Sequence, residues 1–180
     1  MGAPTGTRAD MGMGTSSDMA SPDVVAEAGA FRDALSNWAS TVGVIAVRDP
    51  DDGRIYGTTI TSFTPVNADP PLVLVSLGAG AQALPFLHEG GEYVINLLAE
   101  GQGRIASVYA DSFPVGPSPF PDAGPPVIEG ALAALRCRVS KLVAVDGGNR
   151  LVLGWVEHVE ADASRRPLLW YRRSTAELAR

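Results

Sequence analysis

Apolar residues along this chain repeat with two different periods, and the change between them falls near Ala39. In "SPDVVAEAGAFRDALSNWA", Val24, Ala28, Phe31, Leu35 and Trp38 recur at four-and-three spacing, which predicts one amphipathic helix with its apolar stripe turned to the core. Ser21 is placed to cap it, Pro22 suits a first helical position, and Asp23 faces the positive helix end. Trp38 has a second use open to it, as the wall of a ligand pocket, but its spacing favours packing.

Beyond Ala39 the pattern shortens to strand-like runs. They read "TVGVIAVRD", "RIYGTTITSF", "PPLVLVSL", "EYVINLLA", "ALAALRCRVSKLVAVD", "NRLVLGWVEHVEAD" and "RPLLWYR", with the Asp52-Gly53 pair closing a hairpin between the first two. Helical stretches interrupt them at Ala83 to His88 and at Gln102 to Ala110. Leu135, Cys137 and Val139 alternate with Arg136, Arg138 and Ser140, so that strand has one wet face and Cys137 reads as a small core residue rather than a nucleophile. Six or seven strands with two or three helices predict a mainly β fold with peripheral helices, wound into a closed or partly closed barrel. "DSFPVGPSPFPDAGPPVIEG" is the exception. Its prolines from Pro114 to Pro125 forbid regular pairing and mark a long surface loop, either a lid or binding element or a plain connector.

Composition narrows the class. The chain has 180 residues, 46% of them hydrophobic and 19% charged, which suits one globular domain with a real core. A net charge of -6 argues against nucleic acid and against anionic membrane surfaces, because either needs a basic face to displace counterions. No apolar run is long enough for a transmembrane helix. Cys137 is the single cysteine, and His88 and His158 stand at no metal-ligand spacing, so a cytoplasmic protein without disulfide or metal is expected. Residues 1–21, rich in Gly, Ser and Thr, read as a flexible tail in which Met11, Met13 or Met19 is open as a start site; 22–180 read as one domain.

The order of these segments resembles the flavin reductase-like family. The resemblance rests on the helix with Phe31-Arg32 and Leu35, the strand Val42 to Val47, "GTTITSFTPVNADPPLVLVSL", "ALPFL", "EYVINLLAE" and "GALAALRCRV", and it runs from about Phe31 to Tyr171. It implies a split β-barrel of the FMN-binding type, a homodimer, FMN or FAD near the dimer seam, NADH or NADPH as hydride donor, and a separate monooxygenase as recipient of the reduced flavin. By the same resemblance Thr59, Ile60, Thr61 and Ser62 meet the flavin ring, Thr61 standing where the family often has Asn. Ser76, Leu77, Ala81, Gln82 and Ala83 line the flavin phosphate, and Phe113, Tyr171 and Arg172 flank the cofactor, with Arg173 as a further anion partner.

Besides Thr61, two further sites depart from the family pattern. Its phosphate turn carries a Ser-x-Thr pair, which falls here on Ala81 and Ala83, leaving the glycine-rich main chain of Gly78 to Ala83 to present N–H groups to an anion. Its Gly-Asp-His turn at the nicotinamide falls here on Gly147, Gly148 and Asn149, so the catalytic position is held by an amide that hydrogen-bonds but exchanges no proton near neutral pH. These changes keep two alternatives open. One is a repurposed barrel in natural-product biosynthesis that takes a hydrophobic small molecule against Trp38, Phe63, Phe113, Trp155 and Trp170. The other is a non-catalytic dimeric accessory protein.

Overall fold

The computed structural model describes residues 26–111 and 113–178. The expected tail and the start of the first helix, Ser21 to Val24 included, lie outside the described residues. After helix α1 (Ala28–Ser36) come strands β1 (Ser40–Thr41), β2 (Gly43–Arg48), β3 (Ile55–Ile60), β4 (Thr64–Ala68), β5 (Pro71–Leu77) and β6 (Glu92–Leu97). Helix α2 (Gly103–Ala110), the long hairpin of β7 (Ala133–Ala144) and β8 (Arg150–Ala161), and the short hairpin of β9 (Leu169–Tyr171) and β10 (Ser174–Ala176) complete it.

Seven strands form one antiparallel sheet in the order β3-β2-β6-β7-β8-β5-β4, and β1-β9-β10 form a second. Alternation along each strand sends one set of side chains inward. Ile45, Val75, Ile95, Cys137, Val139 and Val152 share a single core with Ile60 and Leu77, so the sheet wraps until β3 and β5 face a common interior. It does not close: β3 and β4 remain the two ends of the order. The expected barrel is therefore a split one. At the split, the Ser62 hydroxyl donates to the Ser76 carbonyl at 2.7 Å and accepts from the Ser76 N–H at 3.2 Å, joining the β3–β4 turn to β5.

Strand β2 is buried on both faces. Ile45 and Val47 point into the wrapped core, while Val42, Val44 and Ala46 pack outward against Ala106 and Tyr109 of α2 and against Phe120 and Ile128. This explains the unbroken apolar run "GVIAV". The proline-rich loop that supplies Phe120 and Ile128 is fastened rather than lid-like. Arg48 donates to the carbonyls of Gly53, Pro121 and Gly124, and buried Asn96 donates to Pro126 and accepts from the Ile128 N–H at 2.8 Å. Inside the core the Tyr93 ring crosses to β8, where a Cβ added at Gly154 would lie 2.0 Å from the phenolic oxygen.

Helix α1 corrects the expectation of a core-facing stripe. None of its residues is buried, and Phe31, Leu35 and Trp38 are 57%, 50% and 71% exposed. Glu27 caps it by accepting from the Ala30 N–H at 2.8 Å. Its C-terminal end is held by polar contacts to the β9–β10 turn: the Arg172 N–H donates to Ser36 O at 2.9 Å, and Arg173 pairs with Asp33 at 2.5 Å. A helical period specifies which residues share a face, not whether another element of the same chain covers it.

Candidate functional site

Strand β3 ends the sheet order, so alternate main-chain groups on its outer side lack a ladder partner. Its two faces do different work. On one face, the Thr58 hydroxyl accepts from the Ala83 N–H at 3.1 Å, and Tyr56 stacks on Phe86 with ring centroids 3.7 Å apart. On the other, the Thr59 hydroxyl donates to the Ala106 carbonyl of α2 at 2.7 Å. These bonds fix the strand between the loop that follows β5 and helix α2.

A cavity of about 620 Å³ opens where the end of β3, helix α2 and the β9–β10 hairpin meet. Thr59, Ile60 and Thr61 line it from the β3 side, Ala106, Ser107 and Ala110 from α2, and Trp170, Ser174 and Thr175 from the hairpin. No lining residue is charged. The Ser174 hydroxyl is engaged by the Tyr171 carbonyl at 3.1 Å, whereas the hydroxyls of Thr61, Ser107 and Thr175 make no hydrogen bond among the described residues. A neutral, largely apolar slot with a few unengaged hydroxyls accommodates a flat heteroaromatic ring and disfavours an anion.

The hairpin is set by a two-residue turn in which Arg172 and Arg173 both adopt left-handed backbone, at φ 50 and 61. Such a turn twists with the strands it joins but is strained for side chains other than Gly or Asn, and its bonds to Ser36 and Asp33 hold it. Arg173 is thereby taken up by Asp33, while the Arg172 guanidinium rests 5.3 Å from the Tyr171 ring centre and faces no carboxylate among the described residues.

The glycine-rich loop after β5 is the second part. Its Ala81 N–H donates to Gly78 O at 3.0 Å and its Ala83 N–H to Thr58, so these two amides are already engaged. The N–H groups of Ala79, Gly80 and Gln82 have no partner among the described residues. The tip of the β7–β8 hairpin lies against this loop. A Cβ added at Gly148 would meet that of Ala79 at 3.1 Å, and the Asn149 Oδ1 stands 3.8 Å from one added at Gly78. Gly147 and Gly148 have φ of 74 and 77, which only glycine adopts without strain. Asn149 is thus brought to the loop of Ala81, Gln82 and Ala83.

Other positions singled out in the sequence are not gathered here. Leu77 and Ala83 are buried in the core, so neither offers a side chain to a ligand, and the Ala83 N–H is held by Thr58. Phe113 is 81% exposed and, with Tyr171 and Arg172, stands outside the cavity lining. Of the aromatics Trp38, Phe63, Phe113, Trp155 and Trp170, only Trp170 reaches the cavity; Phe63 packs on the core and the others lie exposed. Cys137 is a core residue as expected, its thiol pushed up to about 12 by burial. His158 sits at the surface with Nε2 3.6 Å from the Glu160 carboxylate. Sequence reasoning missed Ser107, Ser174 and Thr175, whose only signal was a hydroxyl type at otherwise unremarked positions.

Comparison with known proteins agrees with this architecture. The Flavin reductase like domain matches residues 35–179. The reductase component of 4-hydroxyphenylacetate 3-monooxygenase from Thermus thermophilus is 35% identical over 153 residues, covering 83% of this chain and 95% of its own length. NADH:riboflavin 5'-phosphate oxidoreductase from Streptomyces pristinaespiralis is 37% identical over 149 residues, covering 79% and 84%. The solved structure of the flavin reductase PheA2 in its native state superposes with a TM-score of 0.76 at 30% identity, over 86% of this chain and 100% of that one.

Proposed function

The chain belongs to the flavin reductase-like family, and from that premise we propose that it reduces flavin with NADH and releases it to a separate flavin-dependent monooxygenase. The observation that carries the reading is that one edge strand, β3, has an uncharged cavity at its end on the α2 side and, held to its other face through Thr58, a loop with unengaged amides. Together they fit a molecule with a flat neutral ring and an anionic tail. When bound, flavin supplies a ring that takes up hydride and carries two electrons away.

The residues divide the work. Main-chain groups on the outer side of β3 and the Thr61 hydroxyl meet the polar edge of the ring. Ile60, Ala106 and Trp170 exclude water from its surroundings. The N–H groups of Ala79, Gly80 and Gln82 serve the phosphate, and Arg172 is the cation within the same hairpin as the cavity wall. Asn149 contributes hydrogen bonds through its amide rather than a proton, which hydride transfer does not require.

The assembly we propose is a homodimer. The apolar stripe of Phe31, Leu35 and Trp38 stands exposed among the described residues, and a second copy is the partner that would bury it. Among the described residues no helix is long and apolar enough to cross a membrane, and with its single buried cysteine the chain suits the cytoplasm. Flavin-dependent oxidation of NADH by the purified protein tests the function. Turnover that requires added FMN or FAD is the expected result; no turnover, with no quenching of flavin fluorescence on titration, overturns it.

A further inference from the structure

The cavity holds two side chains to which neither the motifs nor the proposed phosphate loop assigns a task, Ser107 of α2 and Thr175 of β10. Both carry hydroxyls without a partner among the described residues. Both residues are exposed, so their hydroxyls are accessible from solvent. A serine inside a helix commonly returns its hydroxyl to a carbonyl of the preceding turn, and it is a poorer helix former than alanine. Here that internal bond is not made, so the hydroxyl remains open to the cavity it lines. Thr175 stands against the first turn of the same helix: a Cβ added at Gly103 would meet its Oγ1 and Cγ2 at 4.0 Å. The two hydroxyl-bearing elements therefore meet at this end of the cavity, and Thr61 lines it from just beyond β3.

We propose that Ser107 and Thr175 are ring-recognition residues, which hydrogen-bond the polar edge of the flavin ring and determine its affinity independently of the tail. This rests on the flavin reductase reading above. A hydroxyl both donates and accepts, so the pair matches a ring edge that alternates carbonyl and N–H groups, and the absence of charge from the walls favours the neutral oxidised ring over a phosphate or carboxylate. Each bond of this kind corresponds to about fivefold to tenfold in affinity.

The test uses lumiflavin, which has the ring without the tail, alongside FMN. Both are titrated by fluorescence quenching against the full chain and against Ser107→Ala, Thr175→Val and the double variant. The expected result is a fivefold to tenfold loss per single variant, the same for lumiflavin and for FMN, with the two losses multiplying in the double variant and the melting temperature held within about 3 °C. Ser107→Thr, which keeps the hydroxyl, retains binding. Unchanged lumiflavin affinity in the double variant overturns the proposal, as does a change confined to the KM for NADH. Wild-type protein that binds FMN but not lumiflavin overturns it while leaving the reductase reading intact; binding of neither flavin overturns both.

Discussion

The cavity beneath α2 and the loop after β5 serve the same proposed ligand by different means. The cavity presents side chains: three hydroxyls, from Thr61, Ser107 and Thr175, with no partner among the described residues, set in an uncharged and largely apolar wall. The loop presents main chain, with Gln82 as its one polar side chain, and two of its amides, those of Ala81 and Ala83, are already committed to Gly78 and Thr58. Side-chain recognition is readily altered by single substitutions, whereas amide recognition depends on loop geometry that the Asp146 to Asn149 turn supports. On the proposed reading, this contrast puts most of the ring affinity in the cavity and less in the tail.

The largest effect removes the frame both regions share. Gly154→Ala sets a methyl group 2.0 Å from the Tyr93 hydroxyl in the wrapped core, and the variant is expected to lose about 3 kcal/mol or more of stability, read from denaturant unfolding. Both regions then fail together. A next, selective break is Ala110→Leu, at an exposed position of the cavity wall: flavin KM is expected to rise more than about tenfold, with lumiflavin and FMN affected alike. If FMN binding survived that change, the cavity would not be the ring site.

Smaller changes sharpen the contrast from the other side. Ala81→Ser returns a hydroxyl to the loop and is expected to raise FMN affinity about threefold to tenfold while lumiflavin is unmoved, measured by paired titrations. Asn149→Ala is expected to cost about twofold to fivefold in KM and to leave the pH profile flat across about pH 6 to 8, since an amide does not titrate there.

The smallest effect concerns the core beneath both regions. Burial raises the Cys137 thiol from 9.0 to about 12 and pushes the Tyr93 phenol well above its ordinary range. The folded state therefore holds protons that the unfolded chain releases, and stability falls as pH climbs through the window from 9.0 toward 12. Melting temperature should decline over that window, and Cys137→Val should flatten part of the slope.

How much of this was legible in the sequence differs by element. Strand periodicity with the Asp52-Gly53 turn located β2 and β3, the alternation at Leu135 to Ser140 placed Cys137 in the core, and the order of motifs identified the family. The short strands β4 and β10 were not anticipated, because all five β4 residues are exposed and the three of β10 show no apolar alternation. The alanines at 81 and 83 were plain as a missing pair of hydroxyls, but not that Thr58 already holds the Ala83 N–H.

Local pattern, then, determined the strands, the lack of hydroxyls at Ala81 and Ala83 and the small-residue character of Cys137, since each depends on neighbours a few positions away. Tertiary structure alone decided that α1 would lie exposed while α2 is packed, that Arg173 would pair with Asp33 and leave Arg172 open, and that Thr61, Ser107 and Thr175 would border one cavity. The physical reason is the same in each case. A covered face, an engaged donor and an empty volume are properties of segments brought together from distant parts of the chain, and no periodicity within one segment carries information about what the others place against it.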